Sequence, residues 1–487
     1  LKKVDIAPGI QVVEIEEVGL RVLCGCLENS VKFLARSGCI RPTEAQGVKF
    51  ETGPNAVLLA EVPLRYGVLR NAAEFPILHM LYKQGMIIPG HPNNTGRRPL
   101  VIGTPRCVDE LAEYVYLGNY GLTDPAELSD CGPDEAAARE MLEIKRRFAF
   151  GTFKRAEDLL ELRRLDGPVV ELRDGLFLRR LAADRYEFVY KDEAVAVDLA
   201  SADAKRAGAP YPLTRSKPGR QTFAVTHIGE GDGWDPTRPC MGSLVSAGGG
   251  LWLIDAGPNI DQTLKALGLA AADLAGVFNT HVHDDHFLGL ASLYRARRKR
   301  PLLYCAIPWV RRAAVRKLAA VARIPEADFR AKFEVRDLEA DRWNDFGGFS
   351  VMPVVAPHPV ENTMFKFRAS GPEGERTYAH WADLTSFAVL EKVARAGDGV
   401  PADAIDRIKG RYLERADLKK LDVGGGMIHG DPRDFADDRS ADLIVSHTAS
   451  PAVAAAMPIG RVAAFGEVSV LIDSPPRSPR RPRTGDA

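Results

Sequence analysis

No stretch of these 487 residues keeps an apolar run close to the roughly 20 that a bilayer-spanning helix needs. Net charge is missing too. The 65 basic residues cancel 65 acidic ones, whereas a dedicated nucleic-acid binder normally carries a basic excess. Composition therefore argues against a membrane partner and weighs against a nucleic-acid one without excluding it. Cysteine is scarce, with seven scattered residues. That rules out a disulfide scaffold and fits a reducing cytoplasm. The opening LKKVDIAPGIQVVEIEE has no apolar core of the secretory-signal kind. A hydrophobic fraction of 45% and a charged fraction of 27% exclude a disordered or fibrous chain. The length calls for two large domains or three small ones, and a homo-oligomer stays open.

Histidine is also sparse, but its distribution is uneven. Only His79 and His91 fall in the first 200 residues, and the other eight of the ten lie between His227 and His447. Histidine is the commonest metal ligand among side chains, so any chemistry is expected in the second half.

The first 212 residues read as an N-terminal mixed α+β domain of unknown function. Val57–Val62 has the pattern of a strand, Asn71–Gln84 that of a helix whose start Pro76 draws toward Phe75, and residues 133–148 that of a helix with acidic residues first and basic residues last. Residues 201–220, small, polar and broken by Pro and Gly, read as a linker. From 213 to 473 short β runs alternate with helical stretches at 286–299, 309–322, 385–396 and 401–414, the signature of a layered α/β domain. Residues 474–487 cannot bury a core and read as a disordered basic tail. The tail carries four arginines and one aspartate, which leaves the rest of the chain at −3. That mild acidity weighs further against a large RNA and favours a small substrate; an anionic small molecule is the expected partner. TGPN at 52–55 and AGPN at 256–259 echo each other, but three shared letters do not establish a repeat.

The segment His281-Val-His283-Asp-Asp285-His286 follows the strand-like LAGVFNT and packs five potential ligands into six residues. His281 and His283 alternate along an extended segment and so project to one side. Asp285 and His286 open the next helix. Such a turn can serve two neighbouring ions, and imidazole with carboxylate suits zinc, with iron or manganese as alternatives.

THVHDDHFLGL resembles the HxHxDH signature of the metallo-β-lactamase-fold metallohydrolases, and companions to it appear in order over about half the chain. His358 in VVAPHPVEN matches the family's third histidine, Asp383 in YAHWADL its bridging aspartate, His447 in LIVSHTAS its terminal histidine, and Asp255 in LWLIDAG its early acidic turn. The resemblance implies an αββα sandwich with the site at one edge of two sheets. It implies one metal on His281, His283 and His358, a second on Asp285, His286 and His447, and Asp383 between them. It further implies a dinuclear zinc hydrolase, with metal-bound hydroxide attacking a phosphodiester or related ester. The pattern is closest to ribonuclease Z, cyclic-nucleotide phosphodiesterase and glyoxalase II. Asp285 and His429 are the candidate catalytic residues, His429 in GGGMIHGD as the acid that protonates the leaving group. The alternatives are an iron-dependent oxidoreductase or thioester hydrolase acting on a thiol-derived substrate, and a non-catalytic metal-binding sensor.

Weaker signals surround this one. His380 reads as core and His227 as a strand-end or cleft residue. Arg238, in the Gly-rich loop 229–243, could meet an anionic substrate. The loop 90–98 (GHPNNTGRR) has donors enough for an anion, and Cys24, Cys26 and Cys39 lack a fourth zinc ligand. Residues 465–479 resemble the phosphate-binding cassette of cyclic-nucleotide-binding domains. Too few residues precede them for that fold, and a final strand of the hydrolase domain is the preferred reading.

Overall fold

The computed structural model describes residues 1–132, 135–395 and 402–473. The basic tail from 474 lies outside them. Strands of the first half lie within residues 2–198 and those of the second within 223–472.

In the first half six strands, β1 (Lys2–Ala7), β2 (Ile10–Ile15), β3 (Leu20–Cys24), β4 (Ala56–Leu58), β5 (Leu100–Gly103) and β6 (Glu161–Arg164), form one sheet in that order. An antiparallel sheet of β7 (Val169–Arg173), β8 (Leu176–Ala182), β9 (Arg185–Tyr190) and β10 (Glu193–Asp198) packs on it. In the smaller sheet Leu176, Leu178, Tyr186 and Phe188 point inward while charged neighbours face solvent, the alternation expected of a sheet covered on one face. The helices are α1 (Ser30–Arg36), α2 (Glu74–Leu78, continued by a wider turn to Lys83), α3 (Pro105–Tyr120) and α4 (Glu135–Phe148).

The second half is a two-sheet sandwich. One sheet has β11 (Phe223–Gly229), β12 (Gly242–Ala247), β13 (Gly250–Ile254), β14 (Gly276–Phe278), β15 (Leu302–Ala306) and β16 (Phe333–Asp337) in sequence order. The other runs β17 (Asn344–Asp345), β18 (Ser350–Val355), β19 (Thr363–Gly371), β20 (Gly374–Trp381), β21 (Leu418–Asp422) and β22 (Asp442–Ser446). The last strand, β23 (Val468–Ile472), pairs antiparallel with β11 at the edge of the first sheet. Of the cassette-like residues, Val468–Ile472 thus form a closing strand, and 474–479 lie outside the described residues. Helices α5 (Ile260–Ala266), α6 (Asp284–Phe287), α7 (Leu290–Arg295) and α8 (Pro308–Ala322) belong to the first sheet, and α9 (Phe387–Arg395) and α10 (Ala402–Tyr412) to the second. This is the αββα arrangement. The expected 286–299 helix is two short helices, α6 and α7, and begins earlier, at Asp284.

β11 to β14 are buried along nearly their whole length, because helices cover one face and the second sheet the other. Between the sheets Phe278 meets Trp252, Phe346, Phe365 and Phe367 at ring separations of 5.2–5.6 Å. Phe278→Leu keeps the bulk but loses these edge-on contacts, and should cost about 1–3 kcal/mol, read as a lower denaturation midpoint with an unchanged m-value.

The two halves share one apolar cluster. Leu23, Val57, Leu111 and Tyr114 belong to it together with Leu288, Val310 and Leu318. The linker is strapped down as well, with Ala204 and Tyr211 buried.

Candidate metal centre

The site lies where β13, β14, β20, β21 and β22 end, all at one edge of the sandwich. Three of the residues that leave those strands, Asp255, Asp383 and His447, have left-handed backbones, with φ of +62°, +44° and +57°. Such strain in non-glycine residues persists only where the surroundings enforce it, and it gathers at functional sites.

Asp255 organises the motif from below. Its carboxylate accepts Thr280 N and Thr280 Oγ1, both at 2.8 Å, and its Oδ2 lies 2.8 Å from His286 Nδ1. Thr280 Oγ1 in turn meets His281 Nδ1 at 2.9 Å. These contacts leave Nε2 of both histidines facing inward, the way a carboxylate behind a ligand sets its tautomer.

Asp383 stands at the centre, and its two oxygens face different partners. Oδ2 lies 3.4 Å from His281 Nε2, 4.0 Å from His283 Nδ1 and 3.5 Å from His358 Nε2. Oδ1 lies 3.0 Å from His286 Nε2 and 3.4 Å from His447 Nε2. Asp285 Oδ2 closes the second group, 3.1 Å from His447 Nε2 and 3.6 Å from His286 Nε2. The structure therefore brings all seven expected residues together around Asp383, with donor atoms of His281, His283, His358 and Asp383 in one tight group and those of His281, Asp285 and His286 in another. All but His283 are buried almost completely.

The fit of these residues to cations can be read from the atoms themselves. Nitrogens of His281 and His358 point at His283 Nδ1 from 3.2 and 3.1 Å. His286 Nε2 and Asp383 Oδ1 are buried and, though 3.0 Å apart, are not aligned as a hydrogen bond with each other or with any other group. Burial pushes the His281 imidazole down to about 4 and also depresses His283 and His358, so these three are neutral donors. For His286 and His447 burial acts in the same direction, but Asp383 and Asp285 outweigh it. His286 is raised well above the imidazole range and His447 to about 10. The second set thus carries two carboxylates, Asp285 and Asp383, that favour positive charge on the facing imidazoles, the place a cation would fill.

One residue of the site had no signal in the sequence. Asp422 ends β21, and its Oδ2 accepts Leu384 N at 2.8 Å and lies 3.0 Å from His429 Nδ1. Its donor atom, with those of Asp383, His429 and His447, falls within 4.8 Å of the others. His429 stacks on His447 at 4.5 Å. Burial works against its protonation, but Asp422 prevails and holds the imidazole above its ordinary range. The His429 and His283 side chains keep 19% and 11% exposure against at most 5% for the other ligands, so solvent reaches the site between them.

The other candidates have structural duties. His380 meets Tyr378 OH at 2.9 Å inside the core. His227 lies 3.1 Å from Ser469 Oγ, tying β11 to β23. Arg238 is engaged by Asp235 at 2.6 Å and Thr448 O at 2.8 Å, and so pins its loop to the residue after His447. In the 90–98 loop Asn93 N donates to His91 Nδ1 and Asn93 Nδ2 to Gln84 O, an ordinary turn. All seven cysteines are free thiols.

A two-sheet αββα sandwich with HxHxDH at the end of the fourth strand, and its companions at the ends of later ones, defines a class: this is a metallo-β-lactamase-fold protein. Within that class, residues 223–372 match the family model described as "Anti-Pycsar protein Apyc1". The chain is 26% identical over 215 residues to a ribonuclease Z of Thermoplasma acidophilum, covering 42% of this chain and 64% of that one. It is 36% identical over 70 residues to the mouse "Zinc phosphodiesterase ELAC protein 1", covering 14% and 19%. The match thus spans less than two thirds of either relative. Among solved structures, human tRNase Z, short form, aligns with a TM-score of 0.36 and 20% identity over 51% of this chain and 99% of that one. No helix of the described residues is long and apolar enough to cross a membrane.

Proposed function

We propose that the protein is a dinuclear metal-dependent phosphodiesterase. The observation that carries this reading is the division of Asp383, with one oxygen toward His281, His283 and His358 and the other toward His286 and His447. His281, His283, His358 and Asp383 would hold one ion, and Asp285, His286, His447 and Asp383 the other. The donor set suits zinc, with iron or manganese as alternatives. The names of the relatives, a ribonuclease Z and a zinc phosphodiesterase, support phosphodiester chemistry.

Bound there, the ions would supply Lewis acidity that makes water a better nucleophile and stabilises charge on a phosphoryl oxygen. The remaining work falls to side chains. Asp255 fixes the His286 ring. Asp285 acts through its place in the second ligand set. His429, open to solvent and backed by Asp422, holds a proton at the mouth of the site for the departing oxygen. The deep setting of the donors, with only His283 and His429 partly exposed, favours a small phosphodiester over a large RNA.

The test is metal content measured beside a substrate panel of bis-p-nitrophenyl phosphate, cyclic nucleotides, a short RNA and a thioester. Two zinc ions per chain, phosphodiester turnover, loss with a chelator and recovery on adding zinc are expected. Iron with thiol oxidation would establish the redox reading instead. Full occupancy with no turnover on any substrate would make the protein a metal sensor.

A further inference from the structure

The first six strands repeat the topology of the catalytic sheet. β1–β2 and β2–β3 are antiparallel, and β3–β4, β4–β5 and β5–β6 are parallel. β11 to β16 pair in the same order and the same directions. The connections agree in part, since hairpins at 41–52 and 64–69 are insertions of the first half alone. β3 leads to Asn29, with φ of +61°, capping the seven-residue α1, and β13 leads to Asn259, with φ of +59°, capping the seven-residue α5. β5 leads into α3 through Pro105 and β15 into α8 through Pro308. Where β14 continues into NTHVHDDH, β4 continues into LAEVPLRY, which has no histidine.

Equivalent elements also face one another. Asn29 Nδ2 donates to Asn259 Oδ1 at 2.7 Å. Helix α3 packs on α8. Glu74 at the start of α2 accepts the backbone N–H of Asp284 at the start of α6, at 3.0 Å. Like meeting like across a shared boundary is the mark of a two-fold interface.

At that boundary the first half grips both ligand loops with buried charge. Asp284 sits between His283 and Asp285. Its N–H is held by Glu74 and its carboxylate by the Tyr114 hydroxyl, with Lys317 paired to both Glu74 and Asp284 and donating to Val282 O. Beyond His358, Glu361 accepts Leu122 N at 3.0 Å and pairs with Lys145 of α4. Glycines leave room for both carboxylates, Gly118 within α3 for Glu74 and Gly121 just past its end for Glu361. A Cβ on Gly118 would lie 1.7 Å from Glu74 Oε2, and one on Gly121 2.3 Å from Glu361 Oε2.

We infer that the N-terminal half is a copy of the catalytic sheet without the ligands, seated as a built-in second subunit, and that Glu74 and Tyr114 are positioning residues for the metal-binding turn 281–286. The inference rests on that turn holding metal, not on the phosphodiesterase reading.

The test measures zinc affinity of the full-length protein by competition with a chromophoric chelator, together with kcat and KM on bis-p-nitrophenyl phosphate. Glu74→Ala should weaken zinc binding by about 10–100-fold and lower kcat with KM within about two-fold. Glu74→Gln keeps an oxygen for the Asp284 N–H and should recover most of the loss. Tyr114→Phe, which removes only a hydroxyl and leaves the packing intact, should weaken zinc by a smaller factor, and covers the case of a Glu74→Ala protein that does not fold. Wild-type zinc affinity in folded Glu74→Ala, or in Tyr114→Phe, overturns the assignment. So does Glu74→Gln being no better than alanine. If the wild-type protein binds zinc but cleaves no phosphodiester, the function fails while the affinity arm still decides this inference.

Discussion

On the proposed dinuclear reading, replacing Asp383 should cost the second metal ion and phosphodiester turnover together. Asp383 is the single group that both sets of donors share, at 3.0–4.0 Å from nitrogens of the five histidines of those sets, with His429 Nδ1 a sixth at 3.9 Å. It is 1% exposed, and a neutral replacement cannot supply the lost charge. Asp383→Asn is the cleaner variant, since asparagine tolerates the left-handed backbone that alanine resists and preserves the volume. Its neutral amide cannot offer an anionic oxygen to each side. We expect bound metal to drop below two ions per chain and kcat to fall by about three orders of magnitude, on the order of 4 kcal/mol of transition-state stabilisation. Asp383→Ala should do the same with added loss of stability from its backbone. A variant that retains two ions and wild-type kcat would refute the shared-ligand assignment.

The ligand set was legible because most of it is local. Four of its seven members, His281, His283, Asp285 and His286, lie within one six-residue turn, and that turn is written in alternation followed by a helix start. His358, Asp383 and His447 follow apolar strands that are themselves plain in the sequence. Asp422 was hidden because β21 reads LKKLD. Lys419 and Lys420 are fully buried there, Lys420 by donating to Gly229 O, Gly242 O and Glu230. A strand with charged core residues defeats any rule built on hydrophobic alternation. The topological repeat was hidden for a different reason, since it lives in strand order and not in letters. TGPN precedes β4 whereas AGPN follows β13, so the one verbal echo joins places that are not equivalent. The matching positions are Asn29 and Asn259, which a single shared residue could never have announced.

His429→Ala should give the second large effect, with a different signature. His429 presents its ring at the open side of the site, and Asp422 fixes which nitrogen points back into the protein. Nδ1 faces Asp422 Oδ2 at 3.0 Å, which leaves Nε2 as the atom able to reach a substrate. A positioned acid of this kind contributes roughly 10²–10⁴-fold, but only where the departing oxygen needs a proton. The variant should therefore keep two ions per chain and lose roughly 10²–10⁴-fold in kcat on a phosphodiester with an alkoxide leaving group. On bis-p-nitrophenyl phosphate, whose leaving group departs readily as an anion, the loss should shrink to about ten-fold or less. Asp422→Asn should follow the same pattern at roughly 10–100-fold, because it removes the charge behind the imidazole while keeping an acceptor for Leu384 N. The dependence on leaving group separates proton donation from a looser site. A His429→Ala loss equal for both substrates, or accompanied by loss of metal, would place the histidine among the ligands instead. That outcome has a physical basis, since its donor atom falls within the same 4.8 Å group as those of Asp383 and His447, and metal content measured beside the two rates decides between them.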